Sequence, residues 1–141
     1  MKLRAAAAAL LVVLTGCSGG DAKPKRQREA NRPSMGFIDM PVAQSTVGPI
    51  FTVSGWVIDE SLVDKVRIYL DDELVATVGV EIMRPDVDQA FPNRAQQGKP
   101  HGYLAIIDAG TRAGYCTIRT EAIDGRGGMT QFATTSVKIE P

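Results

Sequence analysis

Histidine is almost missing from this chain of 141 residues, with His101 the only one. That excludes a cluster of imidazoles around zinc and leaves no second histidine to share acid–base work. There are two cysteines, Cys17 and Cys116, one tryptophan, Trp56, and only 6% aromatic residues in all. No Asp-x-Asp-x-Asp spacing supplies the six to eight oxygens that calcium takes. The acidic turns at Asp59-Glu60, Asp71-Asp72-Glu73 and Asp124 fit the preference of aspartate for turns as well as they fit a cation. The longest apolar run, residues 5–14, rises about 15 Å as a helix, roughly half of a bilayer core. It is too short to span. Neither metal nor cofactor is expected.

Net charge is also absent, since 16 basic residues balance 16 acidic ones. The balance hides three unlike segments. Residues 1–16 carry +2, residues 17–35 carry +3, and residues 36–141 carry −5. A folded part of that sign offers no basic face to nucleic acid.

The first segment reads as an export signal, with Lys2 and Arg4 ahead of an aliphatic run that ends in Leu14-Thr15-Gly16-Cys17. This ending resembles the lipobox of bacterial lipoproteins. The resemblance implies cleavage before Cys17 and acylation of its thiol, with palmitate-type chains holding the protein to a bilayer in the cell envelope. Ser18, rather than Asp, after the cysteine implies the outer membrane if the cell is Gram-negative. The alternative is an ordinary signal peptide in which Cys17 is incidental.

Residues 18–35 contain Gly-Gly, Lys-Pro and Arg-Pro with five basic residues and almost no large apolar ones. Such a stretch cannot bury enough surface to offset its ordering entropy and is expected to be a disordered tether. Its charge either holds it near an anionic surface or is merely solvated. If Cys17 is lipidated, Cys116 has no partner within the mature chain. Cys116 shares strand parity with Ile118 and Ala122, which turns it inward; the other reading is a thiol available for pairing between chains.

From residue 36 the periodicity is two. Strands are expected over 50–58, 66–70, 74–80, 103–107, 115–122 and 129–139, with a possible first strand at 37–40. Turn signals separate them, and no window carries an amphipathic helix. An all-β immunoglobulin-like β-sandwich of about seven strands follows, after a signal peptide (1–16) and a linker (17–35), with the domain at 36–141. The succession Gly36-Phe37-Ile38-Asp39-Met40-Pro41, Val53-Ser54-Gly55-Trp56-Val57-Ile58-Asp59, Val66-Arg67-Ile68-Tyr69-Leu70-Asp71, Arg84-Pro85-Asp86-Val87, Phe91-Pro92, Gly102-Tyr103 and Glu121-Ala122-Ile123-Asp124-Gly125-Arg126-Gly127 resembles bacterial Ig-like modules. That resemblance spans residues 36–141 and implies a non-catalytic module that spaces, displays or binds.

Residues 81–100 form a long connection without an evident element, and long ordered loops are often functional. One reading makes Arg84, Asp86, Phe91, Asn93 and Arg94 a recognition surface. The other makes the segment a cover, with Arg84 clamped internally to Asp86, and Val87, Ala90 and Phe91 docked as a lid. Trp56 either packs beneath this segment or stacks on a saccharide. A Ser/His/Asp set has no Gly-x-Ser-x-Gly elbow within residues 36–141 to carry it; Cys116 beside His101 is the sharpest nucleophilic pair, and strand parity opposes it.

The expectation is therefore a membrane-anchored envelope lipoprotein displaying a non-catalytic Ig-like module for binding or architecture. Its partners would be the bilayer, through Cys17, and an envelope protein or saccharide. The alternative is an accessory subunit that recruits an envelope protein complex or a glycan-active enzyme, and a small hydrolase stands third.

Overall fold

The computed structural model describes residues 32–141. The apolar segment, Cys17 and the tether up to residue 31 lie outside the described residues. Eight strands follow: β1 (Met35–Met40), β2 (Thr46–Val47), β3 (Ile50–Ile58), β4 (Val63–Leu70), β5 (Glu73–Gly79), β6 (Gly102–Asp108), β7 (Gly114–Asp124) and β8 (Met129–Ile139). One short helix, α1 (Pro85–Ala90), interrupts the long connection. The strands form a three-stranded sheet in the order β1-β3-β6 and a five-stranded sheet in the order β2-β8-β7-β4-β5. Every pair is antiparallel except β2 with β8. Among the described residues no helix is long and apolar enough to cross a membrane.

Alternation decides which side chains meet between the sheets. Phe51, Val53, Val57, Tyr103, Ala105 and Ile107 turn inward from β3 and β6. They meet Val66, Ile68, Leu70, Ile118, Ala122, Val137 and Ile139 from β4, β7 and β8 in one buried cluster. Burial on this scale is the main favourable contribution to folding, since each fully buried aliphatic or aromatic side chain contributes about 1.5–3 kcal/mol. Tyr103 is buried to its hydroxyl, which donates to the Phe37 carbonyl at 3.0 Å. Burial pushes its phenol pKa upward. Gly55 is required here, because a Cβ would collide with the Phe37 carbonyl oxygen and the Tyr103 hydroxyl.

The hairpin between β4 and β5 turns on Asp71 and Asp72, both at positive φ (45° and 71°), the backbone of a two-residue turn matched to strand twist. Asp71 also accepts the Thr117 amide at 2.9 Å, tying the turn to β7.

The immunoglobulin-like sandwich agrees with the expectation, and four details differ. β2 has only two residues, too few to show a period, and exists because β8 offers it an edge. β4 begins at Val63, ahead of the alternating run, where a bulge against β7 shifts the register. The connection 81–100, expected to lack an element, contains α1. Its first turn gathers what starts a helix: Pro85 in the opening position and acidic Asp86 and Asp88 facing the positive end. Finally, folded structure begins ahead of residue 36. Ser34 is buried, with its hydroxyl donating to Asp59 at 2.5 Å, and β1 starts at Met35.

Candidate functional site

The segment 81–100 lies against the outer face of the three-stranded sheet, over the end where β3 finishes. Val87 and Ala95 are buried there with Ile58 in a second small core, against which Met35, Trp56 and Phe91 pack. Trp56 projects outward from β3, and the Phe91 ring sits 5.1 Å from it, tilted by 38°. Ala90, expected in the lid, is instead exposed, because α1 turns its Val87 face to the sheet and leaves position 90 outside.

Arg84 fastens this cover. Its Nε and Nη2 donate to the two Asp86 oxygens at 2.8 and 2.7 Å, and its Nη1 donates to Asp39 Oδ2 at 2.7 Å. The stem of Arg84 lies over Gly102 on β6, close enough that a Cβ there would meet Arg84 Cγ at 3.0 Å. Asp39 belongs to β1, so the side chain crosses the whole sheet. The hydrogen bond from Arg84 is the main cause holding the Asp86 carboxyl down to about 2. The same pairing with Asp86 raises the Arg84 pKa.

Arg94 and His101 secure the rest of the segment. Arg94 Nη2 donates to the Pro33 carbonyl at 2.6 Å, and Nη1 approaches Met35 Sδ at 3.8 Å. His101 is buried, and its Nε2 lies 3.0 Å from both Asp88 Oδ1 and the Gln96 carbonyl. Both neighbours accept, so Nε2 carries the hydrogen. Asp88 Oδ2 also accepts the Gly98 amide at 3.1 Å.

Of the six residues considered for recognition, Arg84, Asp86 and Arg94 are thus engaged within the chain, and Trp56 and Phe91 face each other. Asn93 alone of the six is exposed without a role in this packing. The geometry corresponds to the covering reading of the segment.

The sequence reading passed over the remainder of the same sheet face. Register places Ile50 beside Asp108, Thr52 beside Ile106, and Ser54 beside Leu104 and Met40, all pointing away from the core. Ile106 is 73% exposed, Ile50 65%, Phe37 58% and Met40 52%. One half of the face is covered by α1 and its flanks. Among the described residues nothing covers the other half, where Ile50, Leu104, Ile106 and Met40 surround Thr52 and Ser54.

No protein-family model matches the chain, and no curated protein matches it by sequence. Among solved structures, the fibronectin(III)-like modules of Clostridium thermocellum CbhA are 20% identical over 74% of this chain and 94% of that one, with a TM-score of 0.52. The endo-beta-1,4-mannanase from Thermotoga petrophila is 15% identical over 79% of this chain, with a TM-score of 0.51. The chain spans only 21% of that enzyme. The fold is an Ig-like, fibronectin(III)-like sandwich.

Within that sandwich the remaining candidates have structural tasks. Cys116 is buried between the sheets, and burial, reinforced by Asp71, pushes its thiol up to about 11. It lies in the main core on β7, whereas His101 is occupied with Asp88 and Gln96 in front of β6. Asp124 Oδ1 accepts the Arg126 and Gly128 amides at 2.8 Å each, closing the β7–β8 turn. Asp59 Oδ1 accepts the Ser61 amide at 2.8 Å. Among the described residues no three His, Cys, Asp or Glu side chains gather as a metal site. A cleft of about 320 Å³ opens at the seam between β1 and β8, lined mainly by Phe37, Ile38, Val42 and Ala133 with Asp39 and Thr134 at its polar rim.

Proposed function

We propose that this protein is an envelope lipoprotein, anchored through acylated Cys17, whose Ig-like sandwich serves a non-catalytic role in binding or architecture. The observation that carries the non-catalytic part is the state of its reactive side chains. Arg84 is held by Asp86 and Asp39, His101 by Asp88 and the Gln96 carbonyl, and the Cys116 thiol is buried with a raised pKa. A nucleophile needs a partner base within reach and an accessible, activated form. None of these groups meets that requirement.

The anchoring part is supported by the lipobox-like Leu14-Thr15-Gly16-Cys17 and by its distance from the fold, whose first strand opens eighteen residues beyond Cys17, at Met35. Lipid would set the location, in the outer membrane for a Gram-negative cell, and the sandwich would present its sheet faces and edges there.

Two measurements test this reading. Full-length protein made with a labelled fatty acid should carry the label, and Cys17→Ser should not; an unlabelled wild-type chain refutes the anchor. Crosslinking in intact envelopes followed by capture should return a reproducible envelope partner and no turnover on hydrolase substrates. Stoichiometric capture of a glycan-active enzyme would instead establish the accessory-subunit role, and turnover by the purified chain would refute the non-catalytic one.

A further inference from the structure

We infer that the bare apolar half of the three-stranded sheet's outer face rests on the surface of the bilayer that holds Cys17; this rests on the anchoring proposed above. The patch consists of Ile50, Leu104, Ile106 and Met40 around Thr52 and Ser54. Its boundaries are polar. Arg84 with Asp39 and Asp86 closes one side, and Asp108 stands at the other. The patch itself carries neither Lys nor Arg.

Three occupants compete for such a face, and the molecule separates them. The chain ahead of Arg32 is one. Residues 18–31 hold Lys23, Lys25, Arg26 and Arg28, and their only apolar side chains besides Pro24 are Ala22 and Ala30, too small to cover it. A second copy is another. Five residues along β3 and five along β6, with only Met40 from β1, give a footprint of roughly 160 Å², from about 3.3 Å per residue and 4.8 Å between strands. Stable interfaces bury about 800 Å² per partner. Counted as accessible surface, four side chains that are half to three-quarters exposed still supply well under that area, so the patch is too small to hold a dimer unaided.

The bilayer fits both in distance and in direction. Sixteen residues separate Cys17 from Ser34, the first buried residue of the fold, and fully extended they reach at most about 60 Å. A short link of this kind keeps the domain at an effective concentration on the order of millimolar beside the surface, where a weak apolar contact suffices. The chain also joins the fold at β1, the edge strand of the very sheet whose outer face is bare. That face can therefore turn toward the anchor without the tether wrapping around the sandwich. Isolated apolar side chains on a surface are ordinary, but a contiguous apolar sheet face with a polar rim marks a docking site.

Depth-dependent quenching tests this. Lipidated full-length Ile106→Cys, carrying an environment-sensitive dye, is placed in phosphatidylcholine vesicles containing doxyl-labelled acyl chains. Thr77→Cys, exposed on the outer side of the five-stranded sheet, serves as the control position. The dye at 106 should be quenched several-fold more than at 77, without change in 0.5 M salt, roughly the condition that screens exposed charges beyond a few ångströms. A dye at Ile50→Cys should lose its quenching when Leu104→Asp and Ile106→Asp are added, with melting unchanged because both side chains are exposed.

Equal, weak quenching at 106 and 77 in protein that floats with the vesicles overturns the docking and leaves the anchor intact. Protein that does not float at all overturns both. A dye response at 106 that grows with protein per vesicle and resists doxyl quenching assigns the face to a second copy, which also overturns the inference.

Discussion

The indole of Trp56 and the phenyl ring of Phe91 stand 5.1 Å apart, an aromatic contact between the sheet and the long connection that covers it. Trp56 comes from the middle of the framework and Phe91 from just past α1. Their pairing protects the indole from water and holds the helix down.

Removing the ring should release that cover selectively. Fully buried Phe→Ala changes cost about 3–5 kcal/mol; Phe91 is half-buried, so Phe91→Ala should cost about 1–3 kcal/mol. Trp56 emission should shift to the red, and limited proteolysis should cut first within 81–100. An unchanged emission maximum in a variant of lowered melting temperature would contradict this role for the pair.

The Arg84 clamp should respond to shape more than to charge. Lysine keeps the charge but cannot match two Asp86 oxygens and Asp39 at once. Arg84→Lys and Arg84→Ala should therefore lower the melting temperature similarly, by about 4–8 °C, the equivalent of roughly 1 kcal/mol in a domain of this size. Because the folded Asp86 pKa is lowered from 3.8 to about 2, its contribution is present above about pH 3.8 and is lost as pH falls through about 2. A carboxyl NMR titration of Asp86 should show a midpoint near 2 that returns toward 3.8 in Arg84→Ala.

Cys116 should be silent in the native protein. With its thiol pushed up to about 11, only roughly a thousandth is thiolate at pH 8. Iodoacetamide should leave it unmodified for hours and alkylate it within minutes in denaturant. The folded pKa lies above the ordinary cysteine value of 9.0, so this group stabilises the fold below about pH 9, and that contribution fades as pH rises through about 11. Rapid native alkylation would contradict its burial.

Much of the framework could be read directly from residue order. The two-residue period named six of the strands within a few positions, because alternation exposes which side of a strand is buried. It also turned Cys116 inward correctly. The Arg84–Asp86 contact was legible for a local reason: two residues of opposite charge flank a proline that starts a helix.

Tertiary structure alone decided the rest. Arg84 reaches Asp39 across 45 positions, Arg94 holds Pro33 across 61, and Ser34 meets Asp59 across 25, and no short window of sequence contains both ends of such contacts. β2 depends on an edge that β8 provides, and α1 owes its place to the pocket formed by Ile58, Ala95 and Trp56. The bare apolar face was hidden for a related reason. Alternation in β3 and β6 shows apolar residues on both sides, and sequence does not say which side is covered. Only the packing of 81–100 over one half of that face, ending at Arg84, reveals that the other half is left open.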